Sequence, residues 1–406
     1  MITANDLKGV MAMMPAFTTK DGDRPDAEDT VDTAELTRAV DQIIRDGGAD
    51  VITTTGSFGE FHTLLWEEHK KLIEATVAAV KKRVPLFIGC TNLNPREAML
   101  QARFAQQAGA EGLLLGVPFY YQATVDNAVQ FYHDVADAFP KLGIMIYHNP
   151  THHRVTIPVG AFKKITQKPN IVGMKDSHRT PLQFVELSNI TKGKMSVFVN
   201  QTQAFPYFML GAVGCWSFNV WMGPSPVVRL RNACQAQDWE TAKQICLDLD
   251  GVGKVGPNIN NLSWRENVYK LSTNEAGYCY AGPLRPPFRI VPQEVIDNSK
   301  KIAAYWKSLC EKYPLVKEAA RETAKQICLD LDGINKVGPN IGNLSWRENV
   351  FKLSVNEAGY CTAGPLRAPW RIIPQEVIDN SKKIAVYWKK LCEKYPLVSE
   401  PARKTA

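Results

Sequence analysis

Residues 144–177 read IMIYHNPTHHRVTIPVGAFKKITQKPNIVGMKDS. The run opens on apolar Ile144 to Tyr147 and closes on a second apolar run, Ile171 to Met174, that ends in Lys175. Val159 to Thr166 between them has helical character. Two short apolar runs bounded by turn residues and joined by a helix make one strand–helix–strand unit, the building block of a parallel sheet.

The same alternation continues on both sides. Upstream, strands are predicted at Val10–Phe17, Val51–Thr55, Leu86–Gly89 and Gly112–Leu115. Helices follow them at Thr33–Asp46, Trp66–Lys82, Pro95–Ala108 and Asp126–Ala138. Downstream come helix Pro181–Asn189, strand Ser196–Asn200, helix Ala204–Leu210, strand Gly214–Phe218 and helix Ser225–Ala236. Eight strand–helix units in about 235 residues have the size and order of a (β/α)8 TIM barrel. An open doubly wound sheet also alternates, but it carries a Gly-rich phosphate loop after its first strand. Val10 to Thr19 holds no such loop. The fold class is therefore α/β, a TIM barrel.

Beyond the barrel the sequence repeats itself. Thr241 to Val316 recurs as Thr323 to Val398 without a gap, with about 65 of 76 aligned residues identical. The differences are mild: Tyr269 against Phe351, Phe288 against Trp370, Val291 against Ile373. Six of the nine cysteines are three positions counted twice. The expected organisation is a catalytic barrel over 1–236, a C-terminal helical extension over 237–316, a linker at 317–322, and a second copy of the extension over 323–406. A natural tandem duplication and an error of gene assembly read alike at this level.

Composition narrows the class. Of 406 residues 45% are hydrophobic and 22% charged, which suits a globular chain with a sizeable core. Most of the net charge of +7 lies after Lys317, interspersed with acids rather than clustered, so no nucleic-acid footprint is expected. No run approaches the roughly 18 apolar residues of a membrane span. The first residues lack the pattern of a secretory signal. The cysteines show no CxxC spacing and read as reduced thiols of a cytoplasmic protein.

In a barrel, function gathers at the C-terminal ends of the strands. Lys175 ends strand six. A partly desolvated amine in the barrel mouth loses its proton more easily and becomes a nucleophile able to form a Schiff base. The alternative is a surface lysine paired with Asp176. Tyr147 ends strand five, either as a proton relay beside that amine or as an interior tyrosine bonded to backbone. The Gly56-Ser57-Phe58-Gly59 turn offers N–H groups and a hydroxyl suited to a small carboxylate. The histidines at 148 and 152 stand four apart, a spacing that suits a metal on a helix. Pro150 lies between them, so no metal is expected.

These strand ends together resemble the pyruvate-dependent class I aldolase family, which includes dihydrodipicolinate synthase and N-acetylneuraminate lyase. Gly56-Ser57-Phe58-Gly59-Glu60 matches that family's G-[ST]-x-G-E, Tyr147-His148-Asn149-Pro150 its Y-x-x-P, and Gly173-Met174-Lys175-Asp176-Ser177 its G-x-K-[DE]-[ST]. The resemblance covers the barrel and one tail copy. It implies Lys175 as the Schiff-base lysine, Tyr147 as proton relay, and Ser57 with the N–H of Phe58 on a pyruvate carboxylate. It also implies a homotetramer.

Where the biosynthetic branch of that family has an arginine five residues after the tyrosine, this chain has His152. Phe119, Tyr120, Tyr121, Trp216 and Trp221 give the expected mouth an aromatic character, and two or three of them are expected to touch substrate. Leu115–Pro118, Phe131–Ala138 and Ala281–Pro287 look most like the hydratase-aldolases that cleave arylidene-pyruvates to an aromatic aldehyde and pyruvate. The substrate-binding set expected here is Gly56, Ser57, Phe58, Phe119, Tyr120, His148, His152, Trp216 and Asn219. No metal or organic cofactor is called for, because the iminium on the lysine is the electron sink. The cations Arg179, Arg154 and the nearby histidines favour a substrate with an aryl carboxylate. Competing readings are another pyruvate-dependent lyase or synthase of the same family, and a binding protein built on the barrel.

Overall fold

A computed structural model describes residues 1–176, 178–255 and 262–315, and beyond these 326, 330, 350, 353–355, 357–358 and 373–394. The expected linker at 317–322, Ser177 and most of the second tail copy lie outside the described residues. The chain divides into two compact units, Met1–Leu315 and Val316–Ala406.

In the first unit eight parallel strands close into a barrel in sequence order, with β8 pairing β1. They are β1 (Gly9–Met13), β2 (Val51–Thr53), β3 (Leu86–Gly89), β4 (Gly112–Leu115), β5 (Gly143–Tyr147), β6 (Ile171–Lys175), β7 (Ser196–Asn200) and β8 (Gly214–Ser217). Helices α1 (Thr33–Arg45), α2 (Trp66–Val80), α3 (Pro95–Gln107) and α4 (Val125–Ala138) follow the first four strands. After β5 come a single turn, α5 (Pro150–His153), and α6 (Phe162–Ile165). The outer ring is completed by α7 (Pro181–Thr191), α8 (Ala204–Met209) and α9 (Ser225–Gln235).

Local chemistry explains these elements. Asp32 caps α1 by accepting the Glu35 N–H at 2.9 Å, and Leu36, Ala39, Val40 and Ile43 put a buried stripe at three- and four-residue spacing against the barrel. Strand β1 is shorter than the expected Val10–Phe17. Past Met13 the chain leaves the sheet, and the Ala16 N–H bonds the Phe58 carbonyl across the mouth at 3.2 Å. Strand β2 also stops early, because Thr55 turns to a left-handed φ of 44°. A β-branched residue holds such a conformation only where its surroundings enforce it. Here its hydroxyl donates to the Gly89 carbonyl at 2.8 Å.

The core has two layers. Apolar residues between strands and helices form the larger one. The smaller lines the barrel interior and includes Met11, Met13, Phe87, Leu114, Met145, Tyr147, Phe198 and Trp216. In β5 and β6 the register shifts after the Ile144↔Ile171 pair, so that Met145 faces Gly173 and Val172 is the extra residue of a bulge. Tyr147 is then paired with Lys175, and strand alternation turns both side chains into the interior.

The tail of the first unit contains α10 (Trp239–Gly251), α11 (Leu262–Arg265), α12 (Asn267–Ala276) and α13 (Gln293–Lys312). Trp306 of α13 is fully buried and donates its indole N–H to the Gly223 carbonyl at 2.9 Å. A buried charge cluster also fastens this tail to the barrel. Glu60, the last residue of the GSFGE turn, bonds the Lys270 amine at 2.9 Å and the Arg285 guanidinium at 3.2 Å. Lys270 also reaches Thr18 Oγ1 at 2.7 Å and the Pro283 carbonyl at 2.6 Å, while Arg285 Nε reaches Thr30 Oγ1 at 2.6 Å. All three charged groups are buried.

In the second unit, α14 (Gln375–Lys394) buries Val377, Ile384 and Leu391, spaced seven apart. Tyr387 Oη donates to the Asp330 carbonyl at 3.0 Å and Lys394 pairs with the Asp330 carboxylate at 2.6 Å. The first copy makes the same two contacts, Tyr305 to Asp248 at 3.0 Å and Lys312 to Asp248 at 2.6 Å.

Removing one member of a buried charge group leaves the others uncompensated, typically at a cost of about 3–5 kcal/mol. Glu60→Ala is expected to lower the unfolding free energy of the first unit by an amount of that order, read as a fall in its urea midpoint. An unchanged midpoint would show that Glu60 does not hold the tail.

Candidate active site

Lys175 and Tyr147 meet inside the C-terminal end of the barrel. The Lys175 amine stands 3.9 Å from the centroid of the Trp216 ring and 5.4 Å from that of Tyr147, with the residue only 5% exposed. Burial pushes its pKa down to about 8, against the opposing charges of Glu266 and Asp176. Among the described residues no hydrogen-bond acceptor holds this amine; its close neighbours are aromatic faces. Lys270, the other buried lysine among the described residues, is also lowered by burial to about 8, yet three oxygen acceptors engage its amine. Lys175 is the buried amine left available as a nucleophile.

The Tyr147 hydroxyl lies 2.7 Å from Ser57 Oγ and accepts the Ser57 N–H at 3.3 Å. Burial, followed by the charge of Glu266, raises this phenol to about 12. It therefore keeps its proton near neutrality and can hand it on only within a hydrogen-bonded relay. Gly56 has a local reason to be glycine. A Cβ there would stand 3.2 Å from Met13 Cε and 3.5 Å from the Tyr147 hydroxyl. Phe58 is buried, its ring 5.2 Å from that of Phe218.

Behind Lys175 sits a second buried cluster. The Ile157 N–H donates to His148 Nε2 at 3.1 Å, which leaves Nδ1 to carry the ring proton and donate it to Asp176 Oδ1 at 2.9 Å. Burial lowers the pKa of His148, in keeping with a neutral ring. Burial alone would raise Asp176, but hydrogen bonds from His148 and His178 and the charge of Arg179 bring it well below the carboxylate range. Arg179 Nε lies 3.5 Å from Asp176 Oδ2, and its Nη2 donates to the Ile157 carbonyl at 2.8 Å. The Asp176 carbonyl accepts the Trp216 indole N–H at 2.7 Å, fixing the ring beneath the amine.

Next to Tyr147, a cleft of about 320 Å³ is lined by Ser57, Phe61, His62, Phe119, His152, His153, Glu266, Asn267 and Phe288, with Ser57 bonded to the Tyr147 hydroxyl and the His153 ring 5.1 Å from that of Tyr147. Phe119 and His152 thus stand at the mouth as expected. Other residues do not. The Tyr120 side chain is 66% exposed and outside the cleft lining. Trp221 is core, edge-on to Phe17 at 5.8 Å. His148 is buried beneath the site, so it does not face the cleft. Asn219 is buried after β8, its Oδ1 accepting from Gln201 at 2.8 Å. Arg179, expected to answer a substrate carboxylate, is committed to Asp176 and buried.

The loop after β5 differs from expectation as well. Pro150 does not break structure there but opens the single turn α5, where its missing N–H costs nothing. The close histidine grouping is His148, His178 and Asp176 rather than His148 and His152, and its ligand atoms lie within 4.8 Å of one another. Both His148 nitrogens are already engaged, so the arrangement reads as a support for Lys175 and Trp216.

Glu266, Asn267, His62, Phe61 and Phe288 carry no motif that marks them in sequence. Glu266 and Asn267 begin α12, more than 90 residues after Lys175, and only the folded tail brings them to the mouth.

A sequence model of the dihydrodipicolinate synthetase family matches residues 13–277. The trans-O-hydroxybenzylidenepyruvate hydratase-aldolase of Pseudomonas aeruginosa is 30% identical over 330 residues, covering 77% of this chain and 96% of that protein. The trans-2'-carboxybenzalpyruvate hydratase-aldolase of Nocardioides sp. (strain KP7) is 27% identical over 324 residues, again covering 77% and 96%. The solved structure of PhdJ bound to substrate intermediate superposes with a TM-score of 0.72 at 30% identity, covering 77% of this chain and 99% of that one.

The Lys175 amine is nucleophilic only when neutral, so its reaction with a keto acid should speed up as pH rises through about 8 and level off above. Asp176 supports the ammonium form. Asp176→Asn should therefore shift the midpoint of a pH profile of borohydride trapping to lower pH, and a shift upward would contradict the geometry described.

Proposed function

The chain belongs to the dihydrodipicolinate synthetase family, and from that premise we propose that it is a Schiff-base hydratase-aldolase, a carbon–carbon lyase that cleaves an arylidene-pyruvate to an aromatic aldehyde and pyruvate. The observation that carries the reading is the Lys175 amine, desolvated and unengaged by hydrogen bonds among the described residues. It lies 5.4 Å from the ring of Tyr147, whose hydroxyl bonds Ser57 in the lining of a cleft walled by Phe61, Phe119 and Phe288.

The chemistry follows from those groups. The neutral amine attacks the C2 ketone, and loss of water leaves a cationic iminium conjugated with the alkene. Ser57 and the N–H of Phe58 offer donors to the carboxylate next to C2. The iminium draws electrons from the alkene, so water adds at the benzylic carbon with loss of a proton, and the enamine formed takes a proton at C3 to give a β-hydroxy iminium. Proton transfer from that hydroxyl through the Tyr147–Ser57 pair lets the C–C bond break, releasing the aldehyde and leaving an enamine on Lys175. Protonation of the enamine carbon and hydrolysis of the resulting iminium release pyruvate and restore the amine. The electron sink is covalent, so the reaction as written calls for neither metal nor organic cofactor. The aryl ring stacks on the aromatic wall, each good pair contributing around 1 kcal/mol beyond burial.

His152 stands where the biosynthetic branch carries an arginine, which favours this reading over a dihydrodipicolinate synthase. A cytoplasmic homotetramer belongs to the same reading and rests on the family resemblance and on cysteines without disulfide spacing.

Borohydride reduction with pyruvate, followed by peptide mapping, should place one pyruvyl adduct on Lys175 and none on Lys270. An adduct elsewhere, or none in folded protein, would remove the Schiff-base assignment. Tyr147→Phe should still form the adduct while turnover of benzylidenepyruvate falls by about 10²–10⁴-fold, the usual range for loss of a positioned proton-transfer group. All the site residues lie in Met1–Leu315, so a chain ending at Leu315 should keep both adduct formation and turnover. Loss of both in a folded truncation would assign part of the site to the second unit.

A further inference from the structure

The hydration half of the proposed reaction needs a group that Lys175, Tyr147 and Ser57 do not supply. As water bonds to the benzylic carbon it gives up a proton, and C3 of the resulting enamine must receive one. The Tyr147 phenol holds its own proton and is already bonded to Ser57, so the acceptor for the water comes from elsewhere in the cleft. His153 has the geometry for that task. Its Nδ1 lies 3.0 Å from the Tyr147 carbonyl, an oxygen that can only accept, so Nδ1 carries the ring proton and Nε2 presents a lone pair. The ring lines the cleft, edge-on to Tyr147 at 5.1 Å and 5.8 Å from the ring of Phe119. A Cβ on Gly116 would stand 2.1 Å from His153 Cε1, so the lack of a side chain at Gly116 gives the ring its place. Among the described residues no donor engages Nε2. Burial takes the pKa of His153 down to about 3, so the ring is neutral wherever the Lys175 amine is nucleophilic. Its neighbours are committed elsewhere: His152 stands 3.6 Å from Glu266, and both nitrogens of His148 are engaged.

Resting on the function proposed above, we infer that His153 is the proton shuttle of the hydration step, taking a proton from the attacking water at Nε2 and returning it to C3. Water becomes strongly acidic as its oxygen bonds to carbon, so a weak base is enough to take the proton. No new charge is created in the low-polarity site. The positive charge leaves the iminium, which becomes a neutral enamine, and passes to the imidazole. A buried imidazolium is in turn a strong acid, and it protonates C3, restoring the iminium and the neutral ring. The balance is one water added across the C3–C4 double bond, with no proton left over. Tyr147 then serves the cleavage and His153 the hydration, so the two half-reactions depend on different residues.

The test separates the half-reactions in the full-length enzyme. Benzylidenepyruvate requires hydration and cleavage, whereas its hydrate, 4-hydroxy-4-phenyl-2-oxobutanoate, requires cleavage alone. His153→Asn keeps a donor for the Tyr147 carbonyl and removes Nε2. Its kcat on benzylidenepyruvate should fall by about 10²-fold or more, the usual scale for a lost proton-transfer group. Cleavage of the hydrate and borohydride trapping of the pyruvyl adduct on Lys175 should stay close to native, which also shows that the variant is folded. His153→Gln, whose amide cannot shuttle a proton, should show the same split. An equal fall on both substrates would make His153 a support for Tyr147 and overturn the inference, as would unchanged turnover of benzylidenepyruvate. The native enzyme separates this from the functional reading. If it cleaves both compounds, that reading stands and the variants decide the role of His153. If it cleaves the hydrate alone, the hydration step and this inference fall while the aldolase remains. If it cleaves neither, the functional reading itself is overturned, and the inference with it.

Discussion

The site depends on the register between β5 and β6. One extra residue, Val172, shifts β6 so that Tyr147 and Lys175 become paired neighbours and both point inward. A side chain on the other parity would have faced the helices, in the apolar layer that holds Met174. Turned inward, the lysine ends a column of methionine, phenylalanine and leucine side chains and is desolvated there. That desolvation brings the amine within reach of neutrality at physiological pH, and the same burial keeps the neighbouring phenol protonated. One geometric constraint therefore sets the protonation states of both reacting groups in opposite senses.

Around this pair the chain builds two supports from buried charge. Below it, Asp176 takes hydrogen bonds from His148 and His178, lies beside Arg179, and uses its own backbone carbonyl to hold Trp216 under the amine. To one side, Glu60 binds Lys270 and Arg285 and so fixes the tail from which Glu266, Asn267 and Phe288 reach the mouth. The GSFGE turn thus serves at both ends: Ser57 meets the phenol and Glu60 anchors the element that completes the cleft. The second tail copy repeats Lys270 and Arg285 as Lys352 and Arg367, but the chain contains a single GSFGE turn for such a pair to meet.

The sequence alone determined the barrel, because eight apolar runs alternating with amphipathic helices admit few other closed arrangements. It also placed Lys175 and Tyr147 at strand ends and Ser57 in the turn after a strand, while the roles expected of them came from the resemblance of three motifs to a known family and not from spacing. Its reading of mouth residues was less successful. Tyr120, Trp221, His148 and Arg179 have the chemistry of binding groups, yet they point outward or lie buried against partners. Periodicity tells which residues lie near a mouth and says nothing of which way loop side chains turn. What only the tertiary structure decided was the difference between two buried lysines of similar acidity. Lys270 is held by a carboxylate 210 positions away, and Lys175 is left to aromatic faces. Nor could spacing reveal the acid at the mouth, because Glu266 is brought there by the docking of a helix rather than by the repeat of the barrel.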